Sequence, residues 1–430
     1  MKLVPLIGKQ KVSIRHSYAH GNVWEGAVRS SKTICSILRW LMFVRAAAPG
    51  PLAMVGKTTH TLYRNVIEPI EQIVGRSRCI YRPVQGELIL LGRKIYLVSA
   101  NNKAEAEKVK GMTLVGFYGD ELTTWPEEVF NMLTTRLSAP GAQWFGTTNP
   151  AGNSHWLMEK WLKFAKVWVD HTGRLHRREG EETKDLNRFS FTLDDNPTLE
   201  DDFVARLKSQ YSGVFYRRNI LGHWIAAEGA IYDMWDPQKH IVKALPPIQA
   251  WISTGIDYGT KNPFDALLLG LGKDRKLYLA SEYRYDSRIT KRQKTMSEYS
   301  AEYRNWLDIN QHGHYIRPRF HCIDPSAAYF FEQLQRDGVR GLTAADNRVD
   351  DGIRLVSNLI AQDLLFAHES CTGWIEEIDG YVWDDKATEK GEDKPLKQDD
   401  HAMDAGRYAI NTTMSIWRHE LAKPQLELAA

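Results

Sequence analysis

The feature that most narrows the folds open to this chain is a short strand, a glycine-led loop and a helix in immediate succession. Residues 22–25 read as a strand and residues 31–46 as a helix, and between them runs Gly26-Ala-Val-Arg-Ser-Ser-Lys32-Thr33. A GxxxxxK[ST] loop in that setting turns its backbone N–H groups and the helix N-terminus toward one point, which suits phosphate oxygens. Lys32 would set its ammonium against the β and γ oxygens of ATP, and Thr33 would hold Mg2+. Gly26, Arg29, Ser30 and Ser31 would shape the cradle. Ser31 stands where a glycine usually precedes the lysine. Taken alone, the loop reads equally as a helix N-terminus capped by Ser30 or Ser31.

The surrounding pattern supports the phosphate reading. Strands at 52–56, 87–91, 94–99, 114–118 and 143–147 interleave with helices at 59–74, 103–110 and 126–136, the pair 87–91 and 94–99 forming a hairpin. Such alternation predicts an α/β domain with a mainly parallel sheet. The apolar run from Leu114 ends in Asp120-Glu121, and in such sheets that end lies beside the phosphate loop. Asp120 would bind Mg2+, and Glu121 would orient and activate the attacking water. The next strand, Trp144-Phe-Gly-Thr147-Thr148-Asn149-Pro150, ends in hydroxyls and an amide, so Thr148 and Asn149 are candidates to sense the γ-phosphate. Arg136, from the same or a neighbouring subunit, and Arg29 compete for the role of stabilising charge on the transferred phosphate. Each piece also has a plainer reading as a turn or surface residue.

Beyond these strands the chain turns polar and then helical. Residues 170–186 are a polar loop or exposed hairpin, and 194–224 are helix-rich, with helices at 199–211 and 214–220. Pro237, Pro246 and Pro247 mark a boundary. The expected division is 1–185 for the phosphate-loop core, 186–246 for a helical lid and linker, and 247–430 for a second domain. Closely spaced strands at 251–258, 266–270 and 276–283 must run antiparallel. A helix at 295–306, a strand at 320–323 and closing helices follow, the opening order of a ribonuclease-H-like α/β fold. Asp257 on the first of these strands, Asp324 ending the later one, and Asp404 on a helix beside Asp400 are candidate metal ligands, with Asp399 and His401 secondary. Two-metal phosphodiester cleavage needs carboxylates converging on Mg2+ or Mn2+ ions about 3.5–4 Å apart. Each acid alone has a turn or helix-capping alternative. Two basic runs, Arg284, Arg288, Lys291, Arg292, Lys294 and then Lys386 to Lys397, are candidate DNA-phosphate contacts or solvated faces.

Composition leaves this open: 430 residues suit two domains, and a net charge of +3 requires any nucleic-acid surface to be local. The four cysteines form no CxxC pair and read as reduced core thiols. Neither a signal peptide nor a membrane-length apolar run is present, which predicts a soluble protein.

The loop GAVRSSKT with its internal arginine, the strand end FYGDE, the segment TTNPAGNSHW and the stretch YRRNILGHWIAAEGAIYD (216–233) together resemble large terminase subunits of tailed double-stranded DNA bacteriophages. The resemblance runs from about residue 21 to 409, and the helix HAMDAGRYA matches the family's nuclease helix. It implies an ATPase with a helical lid joined to a ribonuclease-H-like nuclease, which drives viral DNA into a preformed capsid and cuts concatemers. It also implies double-stranded DNA, a small terminase subunit, the portal protein and a ring of its own copies as partners, in the host cytoplasm. The family's adenine-contacting segment precedes the loop, where Tyr18 and His20 are candidates. A repair or helicase-type ATPase-nuclease and a non-catalytic DNA-binding scaffold are the rival readings.

Overall fold

The computed structural model describes residues 4–101, 109–180, 182–259, 262–308 and 316–422. The expected helix at 103–110 lies largely outside them. The chain forms two compact units, one made of residues 1–208, 214–226 and 389–392, the other of 209–213, 227–388 and 393–430.

The first unit is built on a ten-stranded sheet. In chain order its strands are β1 (Gly21–Gly26), β2 (Leu52–Gly56), β3 (Cys79–Arg82), β4 (Glu87–Leu90), β5 (Arg93–Ser99), β6 (Gly116–Gly119), β7 (Gln143–Thr148), β8 (Ala165–Val169), β9 (Leu175–Arg177) and β10 (Lys184–Phe191). They lie in the order β3-β4-β5-β2-β6-β7-β1-β10-β8-β9, and every neighbouring pair from β5 to β8 is parallel. The interior strands are covered on both faces, so consecutive residues feed two different cores. Trp24, Met54, Tyr118 and Phe145 enter one with Trp40 and Phe43 of the helix Lys32–Ala46. Val23, Ala53, Phe117 and Trp144 enter the other with Leu122 and Phe130. Arg39 is tolerated in that helix because its guanidinium donates to the Ser17 carbonyl at 2.8 Å and to Gln143.

β3, β8 and β10 escaped the sequence reading here. The polar segment 170–186 runs into β10, whose residues from Leu186 to Phe191 pair in parallel with the whole of β1. The expected break at 185/186 therefore falls inside a sheet strand. Helical structure begins beyond it, with a 3-10 turn at Leu193–Asp195 and then the α-helices Asp201–Lys208 and Gly213–Asn219. β8 likewise extends the sheet beside β10.

The second unit holds a seven-stranded sheet of order β11-β17-β14-β13-β12-β15-β16. Its strands are β11 (Ile241–Val242), β12 (Ile248–Asp257), β13 (Phe264–Gly272), β14 (Leu277–Tyr285), β15 (Phe320–Ile323), β16 (Leu342–Ala344) and β17 (Leu365–His368). β12, β13 and β14 form the expected antiparallel meander, and β15 joins β12 in parallel. β11, β16 and β17 lie where only helices or connections were expected. One face of the sheet packs Ile256, Phe264, Ala266, Leu268, Tyr299, Tyr303 and Phe330 into a core. The opposite face receives the helix His401–Thr412 against Ser253 and Gly255 of β12, where Ser253 Oγ donates to the Ala409 carbonyl at 3.0 Å.

The four cysteines are buried and unpaired. Among the described residues no helix is long and apolar enough to cross a membrane.

Candidate functional site

β1 must deliver the loop into the head of the next helix within a few residues. Gly26 makes this turn at φ 132, and a side chain there would press into the backbone of Phe191 on β10, lying 2.7 Å from its nitrogen. Gly26 thus shapes the turn and does not line the cavity that follows. Arg29 (φ 56) and Ser31 (φ 71) are both left-handed, a conformation that side chains disfavour by about 1–2 kcal/mol. Such kinks curl the N–H groups into an anion-binding nest. Ser31 thus adopts the backbone shape a glycine takes more easily. Ser30 Oγ is buried with no partner, an orphaned donor at the wall of the cavity.

That cavity, about 930 Å3, is lined by Arg29 through Cys35 and by Arg64, Asn65, Asp120, Glu121, Thr147 and Asn149, among others. The parallel sheet brings these together because β1, β6 and β7 are neighbours whose C-terminal ends share one edge. Lys32 Nζ donates to the Ala27 carbonyl at 2.9 Å and to Asn149 Oδ1 at 2.7 Å. Burial pulls its pKa down to about 8, against the attraction of Asp120, Glu121 and Glu25. Asp120 accepts from Thr147 Oγ1 at 2.8 Å and from Asn65 Nδ2 at 3.1 Å. Burial raises its proton affinity. Glu121 stands at φ 54. Burial first, and then Asp120 beside it, hold its carboxyl above the ordinary range, as suits a general base.

Some expected residues lie elsewhere. Thr148 turns away and hydrogen-bonds Thr123 at 2.8 Å, so Thr147 is the hydroxyl at the cavity. Arg136 is absent from the lining: its carbonyl accepts from Leu114 N at 2.8 Å, at the far end of β6 from Asp120. A part for Arg136 in its own subunit's cavity is thereby removed. Tyr18 stacks on Arg39 with 4.3 Å between guanidinium and ring, and His20 Nδ1 meets the Ala142 carbonyl at 2.9 Å. Val4, Leu6 and Gln10 line the cavity in their place. Arg64 and Asn65 were missed because the expected helix 59–74 contains a π-helical turn, Tyr63–Ile67, which redirects them. Glu25 was also missed. It is buried on β1, pairs with Arg188 Nε at 2.5 Å and accepts from Ser190 and the Trp224 indole. A carboxylate in a wholly buried strand was the available signal.

In the second unit, β12 alternates Ser253, Gly255 and Asp257 toward the helix His401–Thr412. Gly255 permits the contact, since a methyl there would stand 2.5 Å from Ala409 N. This close approach puts Asp257 and Asp404 within electrostatic reach, and pairing of β15 with β12 adds Asp324. Burial raises the proton affinity of Asp257; His401 opposes the rise, and Asp404 and Asp324 add to it. Asp257 Oδ2 pairs with His401 Nδ1 at 2.8 Å. Asp324 accepts from the Tyr408 hydroxyl at 2.6 Å and from Ser326 N at 2.7 Å. Its burial is outweighed by these bonds, and its carboxyl sits below the ordinary range. Asp404 is held by Arg407 at 2.6 Å and Lys397 at 3.2 Å, and Lys397 also reaches Asp400 at 2.8 Å.

Among the described residues no three His, Cys, Asp or Glu side chains close into a metal cluster. The donor chemistry nevertheless fits hard divalent cations: Asp257 gains proton affinity from the other two carboxylates, and lysine, arginine and histidine side chains hold the acids in place. Asp399 points to Arg288 at 3.6 Å. Most of the first basic run is neutralised: Arg284 by Asp265 and Glu377, Arg288 by Asp286, Arg292 by Glu298, Lys294 by Glu302. The acids that pair the run lie within it or just beyond it (Asp286, Glu298, Glu302) or on other elements (Asp265, Glu377). In the second run, Lys397 is engaged with Asp400 and Asp404.

Comparison with known proteins extends this picture. The family model described as terminase large subunit, T4-like-virus type, N-terminal, matches residues 25–236. The large terminase of a thermophilic bacteriophage is 33% identical, with a TM-score of 0.80 over 96% of this chain and 100% of that one. The structure of that phage's large terminase in complex with ATP-gamma-S is 32% identical, with a TM-score of 0.78 over 95% of this chain and 100% of that one. The large terminase subunit of Escherichia phage T5 is 24% identical over 233 residues, which are 51% of this chain and 50% of that protein. The match spans half the length of the T5 relative.

Proposed function

The chain belongs to the large terminase family, and from that premise we propose that it is an ATP-driven motor for double-stranded DNA joined to a metal-dependent endonuclease. The motor translocates viral DNA into the procapsid, and the nuclease cuts concatemeric DNA. The observation that carries the reading is the meeting of Lys32, Thr33, Asp120, Glu121 and Asn149 around one cavity. The thermophilic phage's terminase in complex with ATP-gamma-S supports ATP as its occupant.

In this reading the nest around Arg29 to Ser31 takes the phosphates through backbone N–H groups, with Ser30 Oγ as a further donor. Lys32 leaves Asn149 for the β and γ oxygens. Thr33 and Asp120 hold Mg2+, which when bound neutralises charge on the triphosphate. Glu121 accepts the proton of the attacking water, helped by its raised proton affinity. Arg29 or Arg64 meets transferred charge within the subunit, and Arg136 is left to act on a neighbour's nucleotide in a ring. In the second unit Asp257, Asp324 and Asp404, with Asp400 beside them, hold Mg2+ or Mn2+, which supply the charge for phosphodiester cleavage. A small terminase subunit and the portal protein complete the machine in the host cytoplasm.

The test is supercoiled plasmid with Mg2+ or Mn2+, beside EDTA and Asp324→Ala, and ATP hydrolysis beside Lys32→Ala. Cleavage lost with both EDTA and the variant, together with hydrolysis lost in Lys32→Ala, supports the reading. Metal-independent cleavage, or hydrolysis undisturbed in Lys32→Ala, overturns it.

A further inference from the structure

We propose that Glu377 is a positioning residue for the carboxylate site, the last link of a relay of glutamates running from the sheet to the helix that carries Asp404. The proposal rests on the metal-nuclease reading above.

The helix His401–Thr412 has no side-chain cap of its own, for Asp400 at its N-cap makes no capping bond. Its first-turn N–H groups are buried and need acceptors. Ala402 N and Met403 N donate to Glu377 Oε2 at 2.6 and 3.3 Å. Glu377 itself rides on the helix Thr372–Gly380, whose N-cap residue, Cys371, also makes no capping bond. There Gly373 N and Trp374 N donate to the two oxygens of Glu282 on β14, at 2.6 and 3.0 Å. Each helix is thus capped by a glutamate from an element earlier in the chain. The sheet fixes Glu282, Glu282 fixes the helix bearing Glu377, and Glu377 fixes the helix bearing His401 and Asp404.

Arg284 locks the relay sideways. It lies two residues beyond Glu282 on β14, on the same face. It donates to Glu377 Oε1 at 2.6 Å and to Asp265 Oδ2 at 2.7 Å. Asp265 is wholly buried and stands opposite Asp257 in the register of β13 and β12. One guanidinium therefore ties the cap of the Asp404 helix to the strand position facing Asp257. Gly373 leaves room for it, since a methyl there would lie 2.7 Å from Glu282 Oε1 and against the Arg284 guanidinium. Buried Asp265 and Glu377, with half-buried Glu282, around one arginine make a poor source of stability. As a ruler they set the spacing of two ligand-bearing elements, the part that partners of metal ligands play.

The test uses the full-length protein and the variants Glu377→Ala and Glu377→Gln. Mn2+ binding without DNA is followed by titration calorimetry, with kcat and KM for plasmid cleavage and the rate of ATP hydrolysis. In Glu377→Ala, Mn2+ affinity and cleavage kcat are expected to fall by about 10–100-fold, with KM for DNA and ATP hydrolysis unmoved. Glu377→Gln keeps an oxygen for the two N–H groups and loses the Arg284 pairing, so it falls between. Any folded variant, Glu377→Gln alone if Glu377→Ala does not fold, that retains wild-type Mn2+ affinity and kcat overturns the relay. A wild-type protein that neither binds Mn2+ nor cuts DNA overturns the nuclease reading itself.

Discussion

Replacing Gly255 with alanine should dismantle the carboxylate site while leaving ATP hydrolysis intact. The new methyl would stand 2.5 Å from Ala409 N and closer still to the Ala405 carbonyl oxygen, where ordinary contact begins near 3.4 Å. Both obstacles are helix backbone, so no rotamer change relieves them, and the helix must back away from β12 by about 1 Å. Overpacking of this kind costs about 1–3 kcal/mol. The Ser253–Ala409 hydrogen bond, 3.0 Å long, is stretched as well, for a further loss of about 1 kcal/mol. Together these lower the melting temperature of the second unit by roughly 5–15 °C. The same retreat separates Asp404 from Asp257, and a misplacement of about 1 Å costs on the order of 100-fold in rate. Scanning calorimetry, Mn2+-dependent plasmid cleavage and ATP hydrolysis read the three consequences. Wild-type melting and cleavage in Gly255→Ala would refute the argument that this glycine sets the distance between strand and helix.

Three further outcomes are expected. Glu121→Gln should lose hydrolysis by about 100–10,000-fold yet bind ATP-gamma-S with wild-type affinity in a calorimetric titration; a loss of binding would instead make Glu121 structural. Lys32, with a pKa brought to about 8 from 10.5, is deprotonated in the folded state before the unfolded one, so stability from this group rises with pH between those values and is flat below them. Nucleotide phosphates favour the ammonium, so ATP-gamma-S binding near pH 8 should take up a proton, seen as a dependence of binding heat on buffer ionisation enthalpy; heat independent of buffer refutes it. Ser31→Gly relieves a left-handed serine and should stabilise the first unit by about 0.5–1 kcal/mol, a rise of roughly 1–4 °C in melting temperature; a fall would mean that the serine side chain carries a favourable contact.

Short-range chemistry made much of the molecule readable. The strand, loop and helix around Lys32, the apolar strand ending in Asp120-Glu121, and the helix holding Asp404 each carry their pattern within a few residues, where periodicity and turn chemistry act. The meander of β12 to β14 was legible for the same reason. β10 was not: its sequence, KDLNRFSF, is polar, and it becomes an interior strand because β1 and β8 flank it and Asn187, Arg188 and Ser190 find partners across the fold.

What the chain determined by itself was which residues carry chemistry and on what local element each one sits. Only the tertiary structure decided which of them meet. It brought Asn65 to Asp120 through a π-helical turn, put Thr147 in place of Thr148, withdrew Arg136 to the far end of β6, and neutralised Arg284 with acids from β13 and a distant helix. The reason is physical: a hydrophobic pattern reports how deeply a residue is buried along its own element, whereas a hydrogen bond or ion pair depends on which other element arrives beside it, and that is settled only when the sheets and helices have packed.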